Sequence, residues 1–275
     1  MKRELPVYSI EGTDFVVDVA NLQLSEKANP ENVIPLADMR DVGDGYVFDY
    51  SPKEKNIPMM FSDDTDVRTV KIPELVQLDP VGMSEKYGCS THEMQGKTDF
   101  SLMVDQQALG RRLMGQLPTV NIAGHTFFVD IRMDMLRPKD DFLSNGIVLS
   151  QIDHFYDDDR KVYTIPYNPK THEFQDLDYD NITSIPKDLI VVSFPHESML
   201  DPVGYNRKGG WDETYGLKET NVKSHFEAKL VDWKETGIET TIQENINKQH
   251  KQQKLPKQTD KEQKAGKRQR RGPKL

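Results

Sequence analysis

The chain has 275 residues, 36% of them hydrophobic, and a formal net charge of −9 that is unevenly spread. Between Lys248 and Leu275 lie 11 of the 36 Lys and Arg, opposed only by Asp260 and Glu262, so this tail carries +9 and the remainder −18. A body that acidic repels a phosphate backbone, which excludes sequence-blind nucleic-acid binding outside the tail. One cysteine, Cys89, excludes an internal disulfide and a multi-cysteine zinc centre. The opening MKRELPVYSIEG has no signal-peptide apolar core. No run approaches the roughly 20 apolar residues of a membrane helix, so a cytoplasmic protein that does not enter membranes is expected.

In chain order, Leu5 to Leu24 (LPVYSIEGTDFVVDVANLQL) comes first, and it returns as Leu117 to Leu136 (LPTVNIAGHTFFVDIRMDML). Each copy reads as a β-hairpin: Val7 to Ile10 with Asp14 to Ala20, and Thr119 to Ile122 with Thr126 to Arg132. Phe15, Val17 and Val19 alternate on one face, as do Phe127, Val129 and Ile131, and Gly12 and Gly124 supply the positive φ of a tight turn. Gly45 to Tyr50 and Val162 to Tyr167 read as strands ended by type I turns at Ser51-Pro52-Lys53-Glu54 and Asn168-Pro169-Lys170-Thr171. Val67 to Ile72 and Leu189 to Phe194 are further strands, the second apolar enough to be covered on both faces.

Leu78 to Gly88 (LDPVGMSEKYG) then returns as Leu200 to Gly210 (LDPVGYNRKGG). Aspartate as N-cap, proline at the first helical position and a closing glycine predict a two-turn helix in each copy. Phe100 to Val104 and Ala228 to Val231 are predicted as strands, leading into helices at Asp105 to Met114 and Trp233 to about Gln253. The matches keep their order while the offset grows from 112 to 117 to 122. A repeat of about 110 residues is domain-sized and too long for a solenoid unit. The expectation is an α+β protein of two homologous strand-rich modules with short helices, residues 1–115 and 116–247, followed by a basic, partly helical or disordered tail, 248–275.

No phosphate-binding glycine loop, dinucleotide fingerprint or nucleophile elbow occurs, and no H-E-x-x-H spacing. Neither module shows a helix-turn-helix pattern. Asp18 and Asp130 are equivalent strand residues, and Asp79 and Asp201 equivalent helix starts; strand-edge hydrogen bonding and capping account for all four. His125, His172 and His196 stand where the first copy has Thr13, Lys55 and Glu74, so any chemistry they carry belongs to one copy. His154 before the Asp157-Asp158-Asp159 run reads as part of a solvated hairpin loop. No cofactor or small-molecule substrate is indicated. The tail alone implies a partner: Lys248, Lys251, Lys254, Lys257, Lys261, Lys264 and Lys267 recur every three or four residues, and Arg268, Arg270 and Arg271 follow. These cations suit a nucleic acid or an acidic protein, the chain's own body included.

Taken together, Leu5 to Asp18, Leu117 to Leu136, Arg137-Pro138-Lys139-Asp140-Asp141, Tyr167 to Lys170 and the two Leu-Asp-Pro-Val-Gly stretches make residues 1–235 resemble a family of uncharacterised proteins associated with conjugative mobile elements of anaerobic gut bacteria. The resemblance implies a bacterial cytoplasm and a mobile-element setting, and it carries no activity, cofactor or catalytic residue. The tail departs from it. The functional expectation is a non-enzymatic binding or accessory protein of a mobile element. The alternative is a metal-dependent hydrolase with a site between the modules, using Asp18, Asp130 and His196.

Overall fold

The computed structural model describes residues 3–59 and 64–254, and its strands and helices occupy separate runs in an α+β arrangement. Strands β1 (Val7–Ile10) and β2 (Thr13–Asp18) form the first hairpin, with Val7 opposite Val16 and Ile10 opposite Thr13. Glu11 and Gly12 at its turn have φ of 48° and 84°, the two positive values of a type I′ turn, whose twist matches that of the strands. β3 (Gln23–Glu26) and β4 (Val33–Pro35) complete a four-stranded antiparallel meander. A second sheet follows, with β6 (Tyr46–Tyr50) between β5 (Arg40–Asp41) and β7 (Arg68–Ile72). Then come helices α1 (Leu75–Leu78), α2 (Pro80–Tyr87), α3 (Asp99–Met103) and α4 (Gln106–Leu113).

The remainder of the chain runs through a matching succession. β8 (Thr119–Ile122) and β9 (His125–Asp130) make a hairpin whose turn residues, Ala123 and Gly124, have φ of 51° and 89°. β10 (Met135–Pro138) and β11 (Ile147–Val148) extend that sheet. The next sheet centres on β13 (Val162–Asn168), between β12 (Tyr156–Asp157) and β15 (Ile190–Pro195), with β14 (Glu173–Phe174) folding back on its end. α5 (Glu197–Leu200) and α6 (Pro202–Gly209) correspond to α1 and α2, and α7 (Leu217–Thr220) follows. The alternation read in the sequence is the burial pattern. Phe15 and Val17 are buried in β2 as Phe127 and Val129 are in β9, and Tyr50 and Tyr167 meet Phe15 and Phe127 edge-on at centroid distances of 6.2 and 6.3 Å. Val191 and Val192 are consecutive and both buried, because β15 is an inner strand covered on two faces.

Two short strands have no counterpart in the first half. β16 (His225–Glu227) pairs in parallel with β8, and β17 (Lys229–Val231) pairs antiparallel with β15, so the chain crosses from one sheet to the other at Ala228. One apolar core gathers Ile10 through Met103 and a second Val120 through Leu200. A third, smaller core joins them: Val104, Ala108 and Leu109 pack with Val203, Leu217 and Val222. The apolar face of α4 is therefore spent on the junction.

Some expectations need correction. Phe100 to Met103 belong to helix α3, with Val104 its extended C-cap, and are not a strand, because Thr98 caps the helix through its own hydroxyl, accepting the Ser101 N–H at 3.1 Å. The helix expected from Trp233 begins later. Residues Trp233–Thr236 form a 3-10 turn, Gly237 reverses at φ 74°, and α8 runs Ile238–Lys254. The two proline turns close one residue later than a type I turn: the Lys55 and His172 N–H groups reach the Ser51 and Asn168 carbonyls, with φ of 52° and 59° at those two residues.

Candidate functional site

The phrase Leu-Asp-Pro-Val-Gly occurs twice, and both occurrences build the same clamp. Asp79 takes φ −145° and ψ 72°, Asp201 φ −144° and ψ 74°. In these poses one carboxylate accepts the Gly82 N–H at 2.9 Å, the other the Gly204 N–H at 3.0 Å, which satisfies an otherwise orphaned donor of the helix start. Each carboxylate also takes two parallel hydrogen bonds from a guanidinium supplied from just before that half's first strand, Arg3 through its two Nη atoms and Arg112 through Nε and one Nη. Arg3 reaches Asp79 at 2.7 and 2.6 Å, and Arg112, on α4, reaches Asp201 at 2.8 and 2.9 Å. The glycine is required by this crowding, since a Cβ at Gly204 would stand 2.1 Å from Asp201 Oδ2 and one at Gly82 2.2 Å from Asp79 Oδ2. The Arg112–Asp201 pair lies at the junction, on the helix that joins the cores.

Above that pair opens a groove of about 830 Å³ lined by Arg112, Asp130, Arg132, Asp134, Arg207 and Lys208. Several of its charges have partners within or beside it. Lys208 Nζ lies 3.6 Å from both Asp134 and Glu197, and Arg207 donates to Glu213 at 2.6 Å. Among the described residues Glu197 Oε2 has no hydrogen-bond partner, and burial pushes this carboxyl above its usual range, with Lys208 acting against the shift.

A second groove, of about 860 Å³, lies on the other side of α7, between Asp38, Arg40 and Asp41 of the first half and Tyr215, Lys218 and Glu219 of the second. Lys218, which lines it, leads into a buried polar network. Asp99 accepts the Leu75 and Val76 N–H groups at 2.7 and 2.8 Å and the Tyr46 hydroxyl at 2.6 Å, so it fixes the start of α1. Lys218 crosses the junction to Asp41 at 2.9 Å and Glu74 at 3.7 Å, with its ammonium 4.7 Å from the Tyr46 ring centre. Burial first, then the adjacent Asp99 carboxylate, holds the Tyr46 phenol far above its ordinary range, so it stays a donor. Neither groove contains a nucleophile held by a base and a third orienting group.

The residues named from sequence have separate fates. Asp18 accepts the Asn21 amide N–H groups, backbone and side chain, and Asp130 accepts the Met133 N–H at 3.2 Å, so each closes the turn after its strand. His196 caps α5 through the Ser198 N–H and stacks among Tyr156, Tyr163 and Tyr205, where burial lowers its basicity. Asp18, Asp130 and His196 thus do not assemble, and among the described residues no three His, Cys, Asp or Glu form a group that could hold a metal ion. The Asp157 to Lys161 loop is the β12–β13 hairpin, with Lys161 on Asp158 at 2.7 Å. Cys89 is half-buried, its thiol turned to the Tyr87 carbonyl at 3.6 Å.

Of the tail cations, Lys248, Lys251 and Lys254 lie on α8; Lys257, Lys261, Lys264, Lys267, Arg268, Arg270 and Arg271 lie outside the described residues. Helix α8 docks by its first half only. Ile238 and Asn245 are buried, and the Asn245 amide donates to the Tyr179 and Ile182 carbonyls at 2.9 and 3.0 Å. From Asn247 to Lys251 every residue is exposed. The Arg112 and Lys218 contacts, which sequence reasoning missed, link residues 89 and 177 positions apart, and only the coincidence of a repeated Asp with an upstream Arg hinted at the first. No helix among the described residues is long and apolar enough to cross a membrane. No family model matches the chain, and neither does any curated protein or solved structure.

Proposed function

We propose that the chain is a non-enzymatic binding or accessory protein of a mobile genetic element, in which two homologous modules form a rigid base for a basic C-terminal segment that contacts nucleic acid. The observation that carries this reading is the change along α8: Asn245 is locked to two carbonyls of the body, while Asn247 to Lys251 face solvent on all sides. A helix held at one end and free at the other presents Lys248 and Lys251 away from an acidic surface that would otherwise neutralise them. The repeated Asp, Pro and Gly residues support a shape role for the modules, because all of them are consumed in capping and clamping. The mobile-element setting rests on the sequence resemblance alone.

Fluorescence anisotropy with labelled duplex DNA and single-stranded RNA tests the reading. The full chain should bind both at low salt without sequence preference, and a chain ending at Asn247 should not. Equal binding by the shortened chain rejects the tail as the contact.

A further inference from the structure

The second half closes its two sheets with one extended run that the first half lacks. β16 lies in parallel on β8, where the Thr119 N–H donates to the Ser224 carbonyl at 3.0 Å and the Ala228 N–H to the Asn121 carbonyl at 2.8 Å; past Ala228, β17 lies antiparallel on β15. Thr119, Val120 and Asn121 of β8 stand where β1 has Val7, Tyr8 and Ser9, and Val191, Val192 and Ser193 of β15 where β7 has Thr69, Val70 and Lys71. β1 and β7 are the outer strands of their sheets. The two-residue hairpin makes Ile10 and Thr13 a hydrogen-bonded pair, so alternation along the ladder commits the backbone of Tyr8 to Phe15 and turns that of Val7 and Ser9 outward. Among the described residues no backbone group of another segment hydrogen-bonds to the outer edge of β1 or β7.

The side chains show the same difference. Val120 and Val192 are fully buried, whereas Tyr8 and Val70 are only partly covered where they pack against the first core. Val67, just before β7, is 40% exposed and its match Leu189 only 5%; Val7 is 44% exposed. Arg68 and Lys71, cations of the kind that keep an edge strand from pairing, are engaged by Glu11, Asp66 and Asp44. The Arg68–Glu11 pair also brings the start of β7 to the β1–β2 turn, so the two edges are neighbours. We propose that an extended segment of a partner protein adds to β1 in parallel and then to β7 in antiparallel pairing, as residues 225–231 do in the second half. Its second residue is apolar and its fourth small, because Phe226 and Ala228 are the members of the run that pack against the core, while Leu230 is 71% exposed. A second copy of the chain has its own residues 225–231 committed, and residues 248–275 hold no apolar residue followed two places on by Ala, Gly or Ser. The surface is separate from the basic tail and does not depend on the nucleic-acid reading.

The test uses a synthetic peptide of residues 223–232 as probe, added to the full ¹⁵N-labelled chain. The expected result is saturable shifts and slowed hydrogen exchange at Val7, Ser9 and Thr69 to Lys71, with Thr119 and Asn121 unmoved. Ser9→Pro removes an outward N–H that the hairpin does not use, and it should weaken the peptide about tenfold. Methylating the Ala228 nitrogen of the peptide deletes the donor for the Ser9 carbonyl and should weaken it equally, with the chain itself unaltered. No shift at β1 and β7 with the peptide at millimolar concentration would overturn the proposal. Shifts confined to Thr119 and Asn121, which mean exchange into the second half, or full affinity of the methylated peptide, would do the same. Val7 and Ser9 amides already slow to exchange in the chain alone would show an edge filled by the chain itself and would overturn the assignment to a partner.

Discussion

Replacing Arg112 by Met strips the buried clamp of its cation while keeping the volume of the side chain. The Arg112 side chain is 9% exposed and its partner Asp201 1%, whereas Arg3 is 29% exposed over Asp79 at 2%. Removing one member of a buried ion pair leaves an uncompensated charge and costs about 3–5 kcal/mol. At Arg3 water can take over part of the lost hydrogen bonding, so Arg3→Met should cost no more than about 2 kcal/mol. In urea unfolding followed by fluorescence of Trp211, which packs against Gly209 at the end of α6, an m-value of about 3 kcal/mol/M converts the Arg112 cost to a midpoint shift of about 1–1.7 M. Asp201→Asn added to Arg112→Met should cost less than the sum of the two, with a coupling of about 2 kcal/mol or more. Equal midpoints for Arg3→Met and Arg112→Met, or a coupling near zero, would refute the claim that this pair holds the junction.

Gly204→Ala must push its Cβ into Asp201 Oδ2, so a loss of about 2–3 kcal/mol is expected in the same assay, against a gain of about 0.5–1 kcal/mol for Gly110→Ala, which lies inside α4 and whose Cβ meets nothing. Glu197 binds protons more tightly in the folded chain than in the unfolded one, because burial raises its pKa. Its contribution is therefore most favourable below the ordinary carboxylate range and declines as pH rises through the raised folded value. Glu197→Gln should consequently gain Tm relative to the parent at about pH 7 and not at about pH 4, and the reverse ordering would contradict the assignment. Asn245→Ala leaves the Tyr179 and Ile182 carbonyls without their donor at about 1–3 kcal/mol, and hydrogen exchange should show α8 opening while β9 stays protected.

What the sequence disclosed follows from how local each signal is. The I′ turns at Gly12 and Gly124 and the capped helices after Asp79 and Asp201 were readable because a few adjacent residues decide them. Helix α3 was misread as a strand because Phe100, Leu102 and Val104 alternate in the text, and the Thr98 cap that settles the matter is outside that pattern. β16 is three residues long and exists only because a partner waits in β8, whereas β17 falls inside the strand expected over Ala228 to Val231. The buried network of Tyr46, Glu74, Asp99 and Lys218 draws on four distant places in the chain, so no spacing could announce it. His125 and His172 have no histidine counterparts at Thr13 and Lys55, and their approach depends on the register of two sheets, which no local spacing encodes.

The exposed end of α8 and the cations that follow it in the sequence are the proposed contact with nucleic acid. The decisive measurement is the salt dependence of duplex binding by the full chain and by the chain ending at Asn247. If about six of the 11 tail cations neutralise phosphates, raising salt from about 50 to about 200 mM should weaken the full chain about 10³-fold, and the shortened chain should show no binding to lose. A full chain whose affinity is indifferent to salt, or a shortened chain with the same slope, would contradict it.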